Sequence, residues 1–244
     1  MDELTDRQRK LLRAVVEKYI ETAEPIGSET IEKEAGLGVS PATIRNDMVR
    51  LTKMGYLKQP HTSAGRVPTS ATIKMYVGEL MVEKSLSVKD EVEIKEHLWD
   101  HRYNFDKLIR EATHELAIKT GALAVATTNE GDVYSSGMAN ILDMPEFYDI
   151  DLTKAVLSVL DQFEMLDRVF SVEMPAEKLV NIVLGDETDM DYMDQCGFVY
   201  THFDAGTRHQ GTLAVIGPCR LNYQEVFPTL RYFSNLIGEV AKSW

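Results

Sequence analysis

The chain has 244 residues, 44% of them hydrophobic and 27% charged, proportions that exclude wholesale disorder and leave room for one large domain or two ordinary ones. Its formal net charge is -13, and its two cysteines, Cys196 and Cys219, exclude a disulfide framework and lack the spacing of a metal knuckle. The opening "MDELTDRQRK" places acids and polar residues where a secretory signal has an apolar core, and no apolar run is long enough to span a bilayer. A cytoplasmic protein with no membrane partner is the expectation.

Charge is unevenly spread. Residues 1–77 contain 12 Lys or Arg against 10 Asp or Glu, whereas residues 78–244 contain 14 against 29. Within residues 39–77 the sole acid is Asp47, facing Arg45, Arg50, Lys53, Lys58, Arg66 and Lys74. The acidic average conceals a basic N-terminal stretch.

In chain order, Thr5 and Gln8 form a capping-box pair ahead of "LLRAVVEKYI", where Leu12, Val15, Val16, Tyr19 and Ile20 recur at helical spacing. Pro25 and Gly27 in "AEPIGS" end that helix, Ser28 opens a short second one, and "GLG" stops it. The third helix starts with Ser40 as N-cap and Pro41 at the first helical position. Ile44, Met48 and Leu51 then share one face, with Ala42, Arg45, Asn46, Val49, Arg50 and Lys53 broadly opposite.

Gly55 stops this helix. "YLKQP" reads as a strand, "HTSAG" as a turn-rich tip and "RVPT" as a return strand that Pro68 restricts to an edge. Helix, helix, turn, helix and hairpin make a winged helix-turn-helix pattern. Thr69 or Ser70 caps a further helix through "ATIKMYVGELMVEK", and residues 84–94 read as a connector with some helical character.

A helical pattern then runs from Ile94 to Lys119, offering Leu98, Phe105, Leu108, Ile109, Leu116 and Ile118 for burial. "ALAVATT" is strand-like, and "VYSSGMANI" follows a Gly-Asp turn. "LTKAVLSVLDQF" is an amphipathic helix, and "LVNIVLG", "GFVYTHFD" and "GTLAVIG" are strands. A final helix from Asn222 to Lys242 carries Tyr223, Val226, Phe227, Leu230, Phe233, Ile237 and Val240 at helical spacing. The fold class is α+β: a winged helix-turn-helix over residues 1–77, a connecting segment over 78–94, and an α+β domain with an antiparallel sheet over 95–244.

A helix with one apolar and one cationic face fits the major groove, where Arg reads guanine O6 and N7 and Asn reads adenine N6 and N7. Arg45, Asn46 and Arg50 supply those donors; Thr43 lies near the helix start, and the turn capped by Ser40 favours a phosphate. Lys53, Lys58 and Arg66 suit phosphate contacts, which position without specifying sequence. The wing tip places His61, Thr62 and Ser63 beside Gly65 and Arg66, able to follow the backbone or enter the minor groove. A solvated helix face or a protein-contact module has the same pattern. The alternative is therefore a ligand- or protein-sensing regulator whose winged helix does not read operator DNA.

No catalytic set emerges. "HEL" at His114 lacks the second histidine of a zinc-binding helix, and neither a P-loop nor a dinucleotide glycine fingerprint is present. His202, Asp204 and His209 lie close enough in sequence to raise the question of a metal, but exposed loop polars are the simpler reading. No metal or other cofactor is expected. The acids Asp186, Glu187, Asp189, Asp191 and Asp194 read as a solvated turn.

Three segments, "LTDRQRKLLRAVVEKYIETAEPIGSETI", "GLGVSPATIRNDMVRLTKMGYLKQPHTSAGRVPT" and "GTLAVIGPCRLNYQEVFPTLRYFSNLI", together with "VYSSGMANILDMPEF", resemble the HrcA family of heat-inducible transcription repressors. The resemblance implies a stress-response repressor of chaperone genes that binds an inverted-repeat operator as a homodimer, with the GroE chaperonin as modulating partner. It implies a GAF-like dimerisation and regulatory domain, a recognition helix from Ser40 to Met54 and a wing from Tyr56 to Thr69. It also implies an inserted segment within the GAF-like domain. Here "ALAVATTNEGDVYSSGMANI" runs almost directly from strand to later motif, so the chain resembles a shortened member.

Overall fold

A computed structural model describes residues 4–171, 179–206 and 209–241. The chain divides into two compact units, Met1–Val82 and Glu83–Trp244.

Unit 1 is built on α1 (Asp6–Thr22), α2 (Ser28–Ala35) and α3 (Pro41–Lys53). The Thr5–Gln8 capping box is formed in both directions. The end of α1 differs in detail from expectation, since Ala23 itself adopts the left-handed cap at φ 59°, ahead of Pro25. Leu11, Leu12 and Val15 of α1 bury against Ile31 of α2 and Ile44, Met48 and Leu51 of α3, and Val16 is buried as well. Truncating Leu51, which has no exposed surface, to alanine would cost about 2–5 kcal/mol of the packing that seats α3.

The hairpin consists of β1 (Leu57–Lys58) and β2 (Val67–Pro68), antiparallel with Leu57 opposite Pro68. The expected helix after the wing is shorter than its pattern. α4 (Ser70–Met75) passes into a π-helical turn at Tyr76–Leu80, and Met81 is already extended. Fully buried Tyr76 holds that turn in the unit, and past it "MVEK" has only half-buried or exposed side chains to keep a helix docked.

In unit 2, the helical stretch expected from Ile94 to Lys119 is two helices. α5 (Val88–Asp100) starts earlier, where Ser87 accepts from the Asp90 N–H, and α6 (Phe105–Thr120) starts afresh where Asn104 accepts from the Lys107 N–H. The helical character expected of the connector is therefore its residues 88–94, the start of α5. Leu98, Leu108, Ile109 and Leu116 are buried as expected, but Ile118 is exposed.

The sheet contains β3 (Leu123–Thr128), β4 (Val133–Ser136), β5 (Asn181–Leu184), β6 (Cys196–Asp204) and β7 (Gln210–Pro218), all antiparallel in the order β4-β3-β7-β6-β5. Leu123, Val125, Phe198, Tyr200, Ala214 and Ile216 turn to one face, packing with α7 (Met138–Leu142), α8 (Ile150–Leu160) and α9 (Phe163–Phe170). α6 and α10 (Tyr223–Ala241) pack on the sheet as well. Central strands covered in this way read as apolar runs without alternation. Every residue of β3 is buried. Tyr223, Val226, Phe227, Leu230, Phe233, Ile237 and Val240 of α10 are all buried, as their spacing predicts. α9 was not expected: "FEMLDRVF" is two turns long, too short for periodicity to distinguish.

Together these elements make an N-terminal winged helix-turn-helix followed by an α+β domain with an antiparallel sheet. No described helix is long and apolar enough to cross a membrane.

Candidate nucleic-acid interface

α3 starts where the Ser40 Oγ accepts the Thr43 N–H at 3.3 Å, with Pro41 in the first turn contributing no orphan donor. The Thr43 hydroxyl lies 3.1 Å from the same Ser40 Oγ, so these two side chains close the helix start on each other. Ile44, Met48 and Leu51 anchor the helix, and Ala42, Arg45, Asn46, Val49, Arg50 and Lys53 are exposed on the other side. Among the described residues, the side chains of Arg45, Asn46 and Lys53 make no hydrogen bond or ion pair within the protein, leaving their donors for an external acceptor.

Asp47 would oppose a polyanion on this helix. Its carboxylate instead takes two hydrogen bonds from Arg7 of α1, at 2.8 and 3.3 Å. The bond to Asp47, and then its charge, raise the Arg7 pKa above its ordinary value.

The wing is braced from three directions. Gln59 donates to the carbonyls of Thr62 and Ala64, at 3.0 and 2.9 Å, fixing the tip from inside. Arg66 exchanges backbone hydrogen bonds with Ile26 at 2.8 and 2.9 Å, an isolated antiparallel bridge that ties the return strand to the α1–α2 loop. Gly65 makes that approach possible, because a Cβ there would meet the Ile26 carbonyl carbon and oxygen at 2.5 Å. The Thr69 hydroxyl donates to the Gly55 carbonyl at 2.9 Å, tying the far end of the wing to the stop of α3.

Lys58, His61, Thr62 and Ser63 are exposed on the hairpin. Arg66 is half-buried, and its Nε donates to Thr52 Oγ1 of α3 at 3.0 Å, so its guanidinium braces the wing against the helix. Sequence reasoning missed Arg7, Gln59 and the close approach at Gly65. Gly65 carried the one local signal, a glycine in a turn, while Arg7 stands 40 residues from its partner and had none.

Chemically, α3 offers bidentate and forked donors on a rigid, capped helix, and the wing adds a lysine and small hydroxyls. This is the inventory that base-edge and phosphate recognition requires, and it contains no nucleophile–base pair.

Elsewhere, His202, Asp204 and His209 are engaged separately. His202 Nδ1 lies 2.9 Å from Thr212 Oγ1, Asp204 accepts from the Gly206 N–H at 2.9 Å, and the His209 ring stacks on Phe105 with centroids 4.1 Å apart. Burial pushes the His202 pKa down. Among the described residues these three do not form a set able to share an ion. Cys196 is buried, and burial pushes its thiol up, away from thiolate chemistry. Asp186, Glu187, Asp189, Asp191 and Asp194 are all exposed around a 3-10 turn.

Known families sharpen this geometry. The model of the winged helix-turn-helix transcription repressor, HrcA DNA-binding, matches residues 3–79, and that of the HrcA protein C terminal domain matches residues 68–227. A heat-inducible transcription repressor HrcA of Desulforudis audaxviator is 26% identical over 336 aligned positions, covering 97% of this chain and 98% of that protein. Its counterpart in Caldanaerobacter subterraneus subsp. tengcongensis is 28% identical over 339 positions, with the same coverage. Both alignments exceed the 244 residues of the chain, so these relatives carry residues with no counterpart here. A crystal structure of a hypothetical protein at 2.2 Å resolution superposes with a TM-score of 0.75 at 18% identity, covering 99% of both chains, a likeness of fold.

Proposed function

The chain belongs to the HrcA family, whose members are heat-inducible DNA-binding transcriptional repressors of chaperone genes and not enzymes, and we propose that it acts by seating α3 in the major groove of an inverted-repeat operator as a homodimer. The observation that carries this reading is the outer face of α3, where Arg45, Asn46, Arg50 and Lys53 are exposed while the helix's one acid is held by Arg7. Arg45, Asn46 and Arg50 address base edges; Lys53, Lys58 and the turn at Ser40 and Thr43 address phosphates. His61, Thr62 and Ser63 form the contact edge of the wing, and Arg66 holds the wing at its angle to α3. One short helix reads too few base pairs for a genome-scale choice, and a two-fold dimer on two half-sites supplies the rest.

Residues 1–77 are the reader, 78–94 the connecting segment, and 95–244 a GAF-like dimerisation and regulatory domain. The five-stranded antiparallel sheet with packed helices supports the GAF-like assignment. GroE chaperonin is the modulating partner, and the cytoplasm is the site of action.

The test is a reporter whose promoter carries the inverted repeat. Wild-type protein represses it, and Arg45→Ala with Arg50→Ala releases it at equal protein level; repression that survives both changes contradicts the reading. A mass measurement giving a monomer at micromolar concentration contradicts the dimer.

A further inference from the structure

We propose that unit 2 binds a divalent transition-metal ion of the zinc class between α5 and α6, on His97, Glu111 and Glu115. His97 lies in the last turn of α5. Glu111 and Glu115 stand four residues apart on α6, a spacing that stacks both carboxylates on one face. One ligand atom from each of the three falls within 4.8 Å of the other two, and His97 Nδ1 is 2.7 Å from Glu115 Oε1. A tetrahedral ion with ligand bonds of about 2.0–2.2 Å wants its ligand atoms roughly 3.3–3.5 Å apart, within side-chain adjustment of this arrangement.

Burial and charge both favour an ion. The Glu115 side chain is only 8% exposed, a carboxylate aimed out of the helix interface at the imidazole, while the His97 side chain is 47% exposed and leaves a path for entry. His101, one turn beyond His97, brings its Nε2 to 3.9 Å from Glu111 Oε2, placing a second imidazole at the rim. The neighbouring Glu93 is taken up by Lys119 at 3.2 Å. Glu111 and Glu115 thus set two carboxylates beside one imidazole, a cluster negative in sum that a divalent ion neutralises. Imidazole in the donor set favours zinc, nickel or cobalt over calcium or magnesium. An ion held here would staple α5 to α6.

The experiment uses the full chain stripped of metal with chelator and then titrated with Zn2+ by calorimetry, with Co2+ as a spectroscopic stand-in whose visible bands report imidazole and carboxylate coordination. The expected result is one ion per chain, with His97→Ala and Glu111→Gln each weakening binding by at least about tenfold, since even outer-shell changes cost that much. Both side chains are partly exposed, so these variants keep the fold, which circular dichroism verifies. His114→Ala, whose ring Nδ1 lies 3.2 Å from Ser136 Oγ of β4 and outside the cluster, retains wild-type affinity. Substoichiometric binding by the wild type, or binding undiminished in His97→Ala and Glu111→Gln, overturns the site.

Discussion

Arg7 of α1 holds Asp47 of α3 through two hydrogen bonds, Nε to Oδ2 at 2.8 Å and Nη2 to Oδ1 at 3.3 Å. The pair joins a residue outside the basic stretch to the only acid within it. Arg7 thereby compensates the one acid of α3, whose charge would oppose a polyanion, and it ties α3 to a second helix. Partly exposed pairs of this kind contribute little to stability. Its consequence is electrostatic.

Arg7→Ala is therefore expected to leave the thermal midpoint close to wild type while weakening operator and scrambled duplex alike by a few-fold, because the Asp47 charge is uncovered within a Debye length of the phosphates. Restoring neutrality with Asp47→Asn in the same chain should recover the loss. Anisotropy titrations of the single and double variants check both steps; an unrecovered loss would mean that Arg7 touches DNA itself.

The variants of α3 and the wing should separate by chemistry. Arg45→Ala or Arg50→Ala lowers the operator-over-scramble ratio by about 1–3 kcal/mol, whereas Lys58→Ala weakens both duplexes equally and lowers the salt slope by about one. Binding isotherms at two salt concentrations distinguish the patterns.

Gly65→Ala probes the wing's attachment. Its Cβ would stand 2.5 Å from the Ile26 backbone, with the Pro25 carbonyl oxygen at 2.7 Å, and backbone cannot yield as a flexible side chain can. A loss of about 1–3 kcal/mol is expected by chemical denaturation, together with weaker DNA binding. An unchanged midpoint would show that the wing adjusts freely.

A pH dependence follows from Glu83, which is paired with Arg231 of α10 through two hydrogen bonds of 2.8 and 2.9 Å. The bond to Arg231 holds the Glu83 carboxyl below its ordinary value of 4.5, outweighing the opposing effect of burial. With the folded-state pKa depressed, the unfolded chain binds the extra proton first. The pair's contribution is thus complete above 4.5 and disappears as pH falls through the folded value. Arg231→Met should flatten the acid limb of the stability–pH curve while leaving its shape near neutrality; an acid limb identical to wild type would deny Glu83 this part.

Much of this architecture was legible from residue order. Ser40 with Pro41, the Ile44, Met48, Leu51 stripe, and the Gly55 stop are local signals, and each acts within one helical turn of where it is written. The α10 stripe from Tyr223 to Val240 was equally plain because nineteen residues give a period many chances to repeat. What escaped was non-local or short. Asn104 divides α5 from α6 in a stretch whose apolar spacing continues across the break. α9 is too brief for periodicity. Arg66, expected as a phosphate contact, also braces the wing through Thr52 of α3, a partner 14 residues away that no local pattern reveals. Composition gives the charge of a side chain, but only the fold gives its partner.

The central claim, that the outer face of α3 reads operator sequence, is tested most directly by titrating the wild-type chain with inverted-repeat operator and with a scrambled duplex of equal length, at two salt concentrations. The expected result is operator binding tighter by about a thousandfold or more, with both affinities falling as salt rises and the preference persisting. Equal affinity for the two duplexes would contradict it.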